Sequence, residues 1–215
     1  MPYDFSHIEN WKLLKGSHKF PGPDGGSCIQ EAAVIAAGFP YRAINSVDDC
    51  PPCFSRPIAA YALRLNDSMD DVNRQRLVKF VTRMSGTADD EHIERERIEF
   101  CVIETVKRIV SRVIEPYDTK ISTECRNVST LEEAKVAAYA AYAAAYAAAY
   151  AADAAAYAAA YAADAAADAI WDISIDILEG MLAIGKQSLT VDEVLIGERF
   201  EHMRLGASRK ALETV

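Results

Sequence analysis

A cysteine and a histidine near the N-terminus give the chain one option for covalent chemistry. Cys28 follows the segment Gly25–Ser27 and falls in the first turn of a predicted helix. There, free backbone N–H groups and the helix dipole favour a thiolate, and so a lowered thiol pKa. His18 is the nearest candidate base, and the pair would suit a nucleophilic cysteine enzyme. The other interpretation, which we favour, is a buried structural thiol.

Two further cysteines extend these options to redox chemistry and metal binding. Cys50 and Cys53 enclose two prolines and resemble the redox dithiol of thioredoxin-like proteins. That chemistry needs a strand-to-helix junction in a βαβ unit, which the surrounding sequence does not predict. Together His18, Cys28, Cys50 and Cys53 could hold a structural zinc ion through three thiolates and one imidazole. Their spacing matches no standard zinc motif, so we expect no cofactor and keep zinc as the alternative.

An eleven-residue repeat runs from Tyr139 to Trp171, in the units YAAYAAAYAAA, YAADAAAYAAA and YAADAAADAIW. Eleven residues complete about three helical turns, so the first, fourth and eighth positions of each unit form one stripe along a helix. We call this the Tyr/Asp stripe. Because a carboxylate is rarely buried without a partner, we expect the stripe to meet solvent and the alanine faces to pack on the rest of the protein.

We interpret the Tyr/Asp stripe as a protein-binding surface, because tyrosine supplies a large and rigid contact area at interfaces. The predicted partner-binding residues are Tyr139, Tyr142, Tyr146, Tyr150, Tyr157, Tyr161, Asp164 and Asp168. The simpler alternative is a packing helix that repeat duplication has lengthened. Ice binding, base stacking and metal binding fit less well, since the stripe has no threonine, is acidic and lacks a histidine-containing partner motif.

Four aspartates spaced every four residues, which we call the acidic ladder, continue this surface: Asp164, Asp168, Asp172 and Asp176. Like charges at this spacing destabilise a helix by about 0.2–0.5 kcal/mol for each pair. Solvent and salt are one way to compensate. The sharper hypothesis is that cations of a partner or of this chain lie against the ladder, and the candidates in this chain are Arg74, Arg76, Arg108 and Arg112.

Helix start and stop signals predict an all-α frame for these residues. Capping boxes begin at Ser6, Ser27, Thr130 and Thr190, and glycines or prolines follow the expected helix ends. They predict helices near 7–15, 28–37, 57–66, 69–84, 88–115, 131–184 and 191–205. The ranges 41–47 and 120–125 are poor strand candidates because they are short and lack alternation.

The predicted fold is therefore an all-α multi-helix bundle with one long alanine-rich helix that carries the eleven-residue repeat. We expect a helical body over 1–130 with two irregular loops, the long helix over 131–184, and a C-terminal helix and tail over 185–215.

Composition and charge restrict the class of partner. The chain of 215 residues has a net charge of −9, and residues 131–215 carry 13 acidic against 6 basic side chains. Binding to nucleic acid or to an anionic membrane needs clustered cations, so both are disfavoured.

The N-terminus lacks a signal-peptide pattern, the five cysteines are odd in number, and the alanine-tyrosine run is too weakly apolar to span a membrane. We therefore expect a cytoplasmic protein.

Three segments carry a resemblance to known proteins: KGSHKFPGPDGGSCIQEAAVIAAGFPYR (15–42), DCPPCFSRPIAAYALRLND (49–67) and MSGTAD (84–89). They resemble a family of small uncharacterised bacterial proteins, in which the alanine-rich region varies. The resemblance implies a bacterial cytosolic protein and carries no residue role. We expect a non-enzymatic interaction or assembly protein that binds a protein partner or a second copy. The alternative is a cysteine-dependent enzyme or thiol redox protein that uses Cys28 or the pair Cys50 and Cys53.

Overall fold

The computed structural model describes residues 12–18, 26–151 and 156–187, and their side chains except over 142–151 and 156–167. The fold is all-α, as predicted, and the described residues contain no strand beyond one isolated bridge. The helices are α1 (Ile29–Ala36), α2 (Arg56–Ser68), α3 (Asp71–Gln75), α4 (Glu91–Thr105), α5 (Ser111–Ile114), α6 (Thr119–Arg126), α7 (Leu131–Ala151) and α8 (Ala156–Ala183). Short 3-10 segments lie at Val47–Asp49 and Val78–Arg83, and a π-helical turn, Val106–Val110, joins α4 to α5.

The chain forms two compact units, Met1–Glu94 with Leu182–Val215, and Arg95–Met181. Helices α6 and α7, on either side of residue 130, pack against each other within the second unit. None of the described helices combines the length and the apolar character that a membrane span needs.

Helix α1 lies inside the first unit. All of its residues are buried, and it contacts α2 and the 3-10 segment Val78–Arg83. A helix that is buried on every side must satisfy its own polar groups. Gln30 does so by donating to the carbonyl of Ala59 at 3.1 Å, and Glu31 accepts several hydrogen bonds described below.

The segment before α1 corrects one prediction. Residues 12–15 belong to the helix predicted over 7–15, but they are not helical, and Leu13 forms a bridge with Ser27. The amide side chain of Gln75 accepts from the Leu13 N–H at 2.8 Å and donates to the Leu13 carbonyl at 2.9 Å, so it replaces the helical partners of this residue. Gly26 allows the segments around Leu13 and Ser27 to lie close together, because a Cβ at position 26 would collide with the side chain of Leu14. Residues 1–11 lie outside the described residues.

The helix predicted over 69–84 is divided into α3 and the 3-10 segment Val78–Arg83. In a 3-10 helix, side chains three residues apart lie on the same face. Leu77 and Phe80 are spaced in this way and both are fully buried. The tighter winding thus lets two large side chains enter the core together.

The core of the second unit forms where α6 and α7 meet the π-helical turn. Its buried cluster consists of Val106, Ile114, Cys125, Val128, Ala134, Ala137 and Ala141. The sequence assigned no helix to α6, which includes the rejected strand candidate at 120–125. Asp118 caps this helix by accepting from the backbone of Lys120 and Ile121, both at 2.9 Å.

Two helices, α7 and α8, lie within the range predicted as one long helix. Residues 152–155 between them are outside the described residues, so a single helix over 131–184 stays a prediction. The helix predicted over 191–205 also lies outside the described part of the chain.

Candidate functional site

Helix α7 has one alanine face that packs and one tyrosine position that does not. Ala134, Ala137 and Ala141 are buried in the core of the second unit. Tyr139 lies on the other side of the helix and is 78% exposed. The start of the helix agrees with the predicted capping box: Thr130 N–H donates to Glu133 Oε2 at 3.1 Å, and Glu133 N–H donates to Thr130 Oγ1 at 3.2 Å. The faces of α7 are therefore oriented as the repeat predicts, where side chains are described.

The other members of the Tyr/Asp stripe are located by backbone alone. Tyr142, Tyr146 and Tyr150 lie in α7, and Tyr157, Tyr161 and Asp164 lie in α8. Their side chains are outside the described residues. Asp168, also in α8, is exposed. A partner-binding role for the stripe stays a prediction.

The acidic ladder contacts Arg108, which was among the arginines predicted to lie against it. Asp168, Asp172 and Asp176 are exposed on α8, and Arg108 Nη2 donates to Asp176 Oδ2 at 2.9 Å. Arg74 has another role: it is buried, and its Nε donates to the carbonyl of Asn66 at 2.6 Å. The structure thus places Arg108 on the ladder and Arg74 in the first unit.

A groove that the sequence did not predict lies between α6 and α7. It has a volume of about 470 Å³. Its lining residues are Thr123, Glu124, Asn127, Val128, Glu132, Glu133, Val136 and Ala137. Since α6 was not predicted, the surface of α7 that faces α6 was not predicted either. The sequence did contain one signal for α6, because Asp118 can cap a helix and a short polar segment follows it.

Cys28 caps α1 and is a structural residue. Its Sγ accepts from the Glu31 N–H at 3.4 Å, while Glu31 Oε2 accepts from the Cys28 N–H at 2.9 Å. The predicted box at Ser27 and Gln30 is therefore displaced by one residue. The Ile29 N–H donates to Asn66 Oδ1 at 3.2 Å. The Ile29 N–H therefore has a partner within the chain, whereas the Glu31 N–H donates to the Cys28 sulfur and lowers the thiol pKa, against the larger effect of burial.

The Cys28 thiol does not have the lowered pKa expected of a nucleophile. Burial raises its pKa to about 12, and the nearby carboxylate of Glu31 adds to the shift. Desolvation and a like charge outweigh the helix dipole here, because both penalise the thiolate directly. His18 Nε2 is buried and has no hydrogen-bond partner within the described residues, so this atom does not serve as the base of a thiolate–imidazole pair.

The other two candidate thiols have separate neighbours. Cys50 Sγ donates to Gln30 Oε1 at 3.8 Å, and burial raises its pKa to about 11. Cys53 Sγ lies 3.8 Å from Ser85 Oγ. No group of three or more His, Cys, Asp or Glu side chains suited to a metal ion occurs among the described residues. Since His18, Cys28, Cys50 and Cys53 all belong to that part of the chain, the predicted zinc set is not assembled.

The candidate site therefore belongs to the second unit, where it consists of the groove and the exposed face of α7 that begins the Tyr/Asp stripe. Both are defined by this chain's own residues. No family model, no curated protein and no solved structure matches this chain.

Proposed function

We propose that this chain is a protein-binding module and that the Tyr/Asp stripe of α7 and α8 is its binding surface. The observation that carries the proposal is the exposure of Tyr139 at 78%, on the side of α7 opposite its buried alanines. A tyrosine held on a rigid helix loses little conformational entropy on binding and offers a large contact area. The alanine face anchors the helix and leaves Tyr139 available for contact.

The charge of the surface limits its partner. Asp168, Asp172 and Asp176 are exposed on α8, and the chain carries a net charge of −9. A cationic protein surface is complementary to such a stripe, whereas the phosphates of nucleic acid are repelled. We do not propose a cysteine-dependent activity, because burial raises the pKa of both Cys28 and Cys50.

Site-specific photocrosslinking tests the proposal. A benzoylphenylalanine at position 139 should form an adduct with a partner or a second copy in native extract. The matched control is position 117, where Tyr117 is also exposed but follows α5, outside the stripe. Adducts at 139, and none at 117, are the expected result. Equal labelling at both positions, or none at 139, would contradict the proposal.

Substitutions extend the test to the rest of the stripe. Replacing Tyr146 and Tyr157 together with arginine should leave the helix content unchanged and should abolish the adduct at position 139. Circular dichroism checks folding, and light scattering checks whether the partner is a second copy. A double variant that keeps both the adduct and the particle mass would show that the stripe is not the interface.

A further inference from the structure

We propose that the groove between α6 and α7 binds a segment of another protein that inserts an apolar side chain and carries lysine or arginine beside it. This inference rests on the proposed function and names the chemistry of the partner. Its basis is the composition of the groove, the charge around it and its position on α7.

The groove presents an apolar surface to solvent. Val128 and Ala137 line it and are buried, while Val136 lines it and is 63% exposed. Its volume of about 470 Å³ lies in the range of pockets that accept small ligands or inserted side chains. Covering Val136 with an apolar side chain would remove exposed apolar area from water, which favours binding.

The charged residues of the groove are all acidic. Glu124, Glu132 and Glu133 line it, and its lining contains no lysine, arginine or histidine. Hydrogen bonds from the backbone and side chain of Ser129 lower the pKa of Glu133, so this carboxylate remains ionised at neutral pH. An apolar segment with cations beside it therefore complements the groove in charge as well as in polarity.

Two lysines of this chain lie near these carboxylates but can be displaced. Lys120 is 3.9 Å from Glu124, and Lys135 is 3.7 Å from Glu132. All four side chains are exposed, and such pairs are weak because solvent screens them. A partner's cations can replace these contacts at little cost.

The groove also leads to the Tyr/Asp stripe. Glu132, Val136 and Tyr139 are spaced four and three residues apart on α7, so they share one face of the helix. A segment that lies along this face meets a carboxylate, an apolar side chain and a tyrosine in succession. A second copy of this acidic surface would repel it, so we assign the site to a different, basic protein.

Three helical peptides of about fifteen residues test the inference. They share the same leucines and differ only in having lysine, glutamine or glutamate at the polar positions. We expect the lysine peptide to bind at least about tenfold more tightly than the glutamine peptide, to shift the methyl NMR signals of Val128 and Val136, and to weaken with added salt. The glutamate peptide should not bind. Equal affinities for the three peptides, no binding, or methyl shifts confined to other residues would overturn the inference.

Matched variants distinguish the groove from general attraction to an acidic protein. Val136→Ser and Glu132→Lys should each weaken binding of the lysine peptide by about three- to tenfold. The controls Val113→Ser and Asp48→Lys alter an exposed valine and an exposed carboxylate outside the groove and should leave affinity unchanged. Equal effects of Asp48→Lys and Glu132→Lys would overturn the inference. If the peptide fails to bind while crosslinking at position 139 persists, the groove assignment fails and the proposed function stands. If the peptide binds but position 139 yields no adduct, the groove assignment stands and the Tyr/Asp stripe is not the binding surface.

Discussion

Arg108 donates from Nη2 to Asp176 Oδ2 at 2.9 Å and thereby connects the π-helical turn after α4 to the acidic ladder of α8. Its Nη1 is also 3.9 Å from Glu104. A π-helical turn contains an extra residue, which rotates the side chains that follow relative to the preceding helix. Because Arg108 and Asp176 belong to the same unit, the negative charge of the acidic ladder is partly neutralised by a residue of that unit.

A double-mutant cycle measures this ion pair. Because the side chains of Arg108 and Asp176 are 37% and 63% exposed, we expect Arg108→Gln and Asp176→Asn to show a coupling free energy of only about 0.2–1 kcal/mol. The coupling should disappear at about 1 M salt. A parallel cycle with Arg112→Gln is the control and should show none. Urea denaturation supplies the free energies, and equal coupling in the two cycles would contradict the assignment.

The raised pKa of Cys28 predicts a loss of stability at alkaline pH. The folded thiol has a pKa of about 12 against 9.0 for a free thiol, so the folded state holds this proton more tightly. Its contribution is complete below about pH 9 and is lost as the pH rises towards 12. Cys28→Ser keeps an acceptor at the cap and removes the thiol. Its free energy of unfolding should therefore fall less between neutral and alkaline pH, and identical slopes for the two proteins would contradict the prediction.

Thiol reactivity provides a second measurement on the same residue. We expect Cys28 and Cys50, both buried, to react with iodoacetamide near neutral pH only after unfolding, whereas the half-buried Cys53 reacts in the native protein. Peptide mapping by mass spectrometry identifies the labelled positions. Rapid native labelling of Cys28 that levels off near neutral pH would restore the hypothesis of a nucleophilic cysteine.

The buried carboxylate of Glu31 should be essential to the first unit. It accepts from the N–H groups of His18, Cys28 and Ile44 at 3.0, 2.9 and 3.2 Å, and from Ser17 Oγ at 2.9 Å. Each buried donor left without an acceptor costs about 1–3 kcal/mol. We therefore expect Glu31→Ala to lower the free energy of unfolding by at least about 3 kcal/mol.

Hydrogen exchange locates the effect of that change. The amides of His18 and Ile44 should exchange faster in Glu31→Ala, because both lose their acceptor. The exposed Glu132 is the control, and Glu132→Ala should change stability by less than about 0.5 kcal/mol. If the two variants are equally stable, Glu31 is not the centre of this network.

Replacing Gly180 in α8 with alanine should destabilise the protein. Alanine in a helix interior is normally more stable than glycine by about 1 kcal/mol. A Cβ at Gly180 would collide with the ring of Phe100, and such overpacking costs about 1–3 kcal/mol. We expect Gly180→Ala to lower the melting temperature, and a further Phe100→Leu change to reverse part of that loss. An increase on Gly180→Ala alone would refute the close packing.

The sequence alone determined the features that depend on near neighbours in the chain. Helix α2, the capping box of Thr130 and Glu133, and the exposure of Tyr139 opposite the buried alanines of α7 follow from patterns of residues three or four positions apart. Such interactions depend on the segment itself and little on how the rest of the chain folds. Arg108 was also among the arginines predicted to lie against the acidic ladder, because opposite charges can be recognised from the residue types alone.

The tertiary structure decided what depends on distant residues. Leu13 is extended because Gln75 supplies its hydrogen bonds, and α6 packs through Cys125 and Ser122 although its own sequence is a weak helix former. The pKa of Cys28 rises because elements far away in sequence exclude water from its thiol, against the direction that its helix position predicts. Burial and desolvation are properties of the whole packed unit, and no local pattern of residues encodes them.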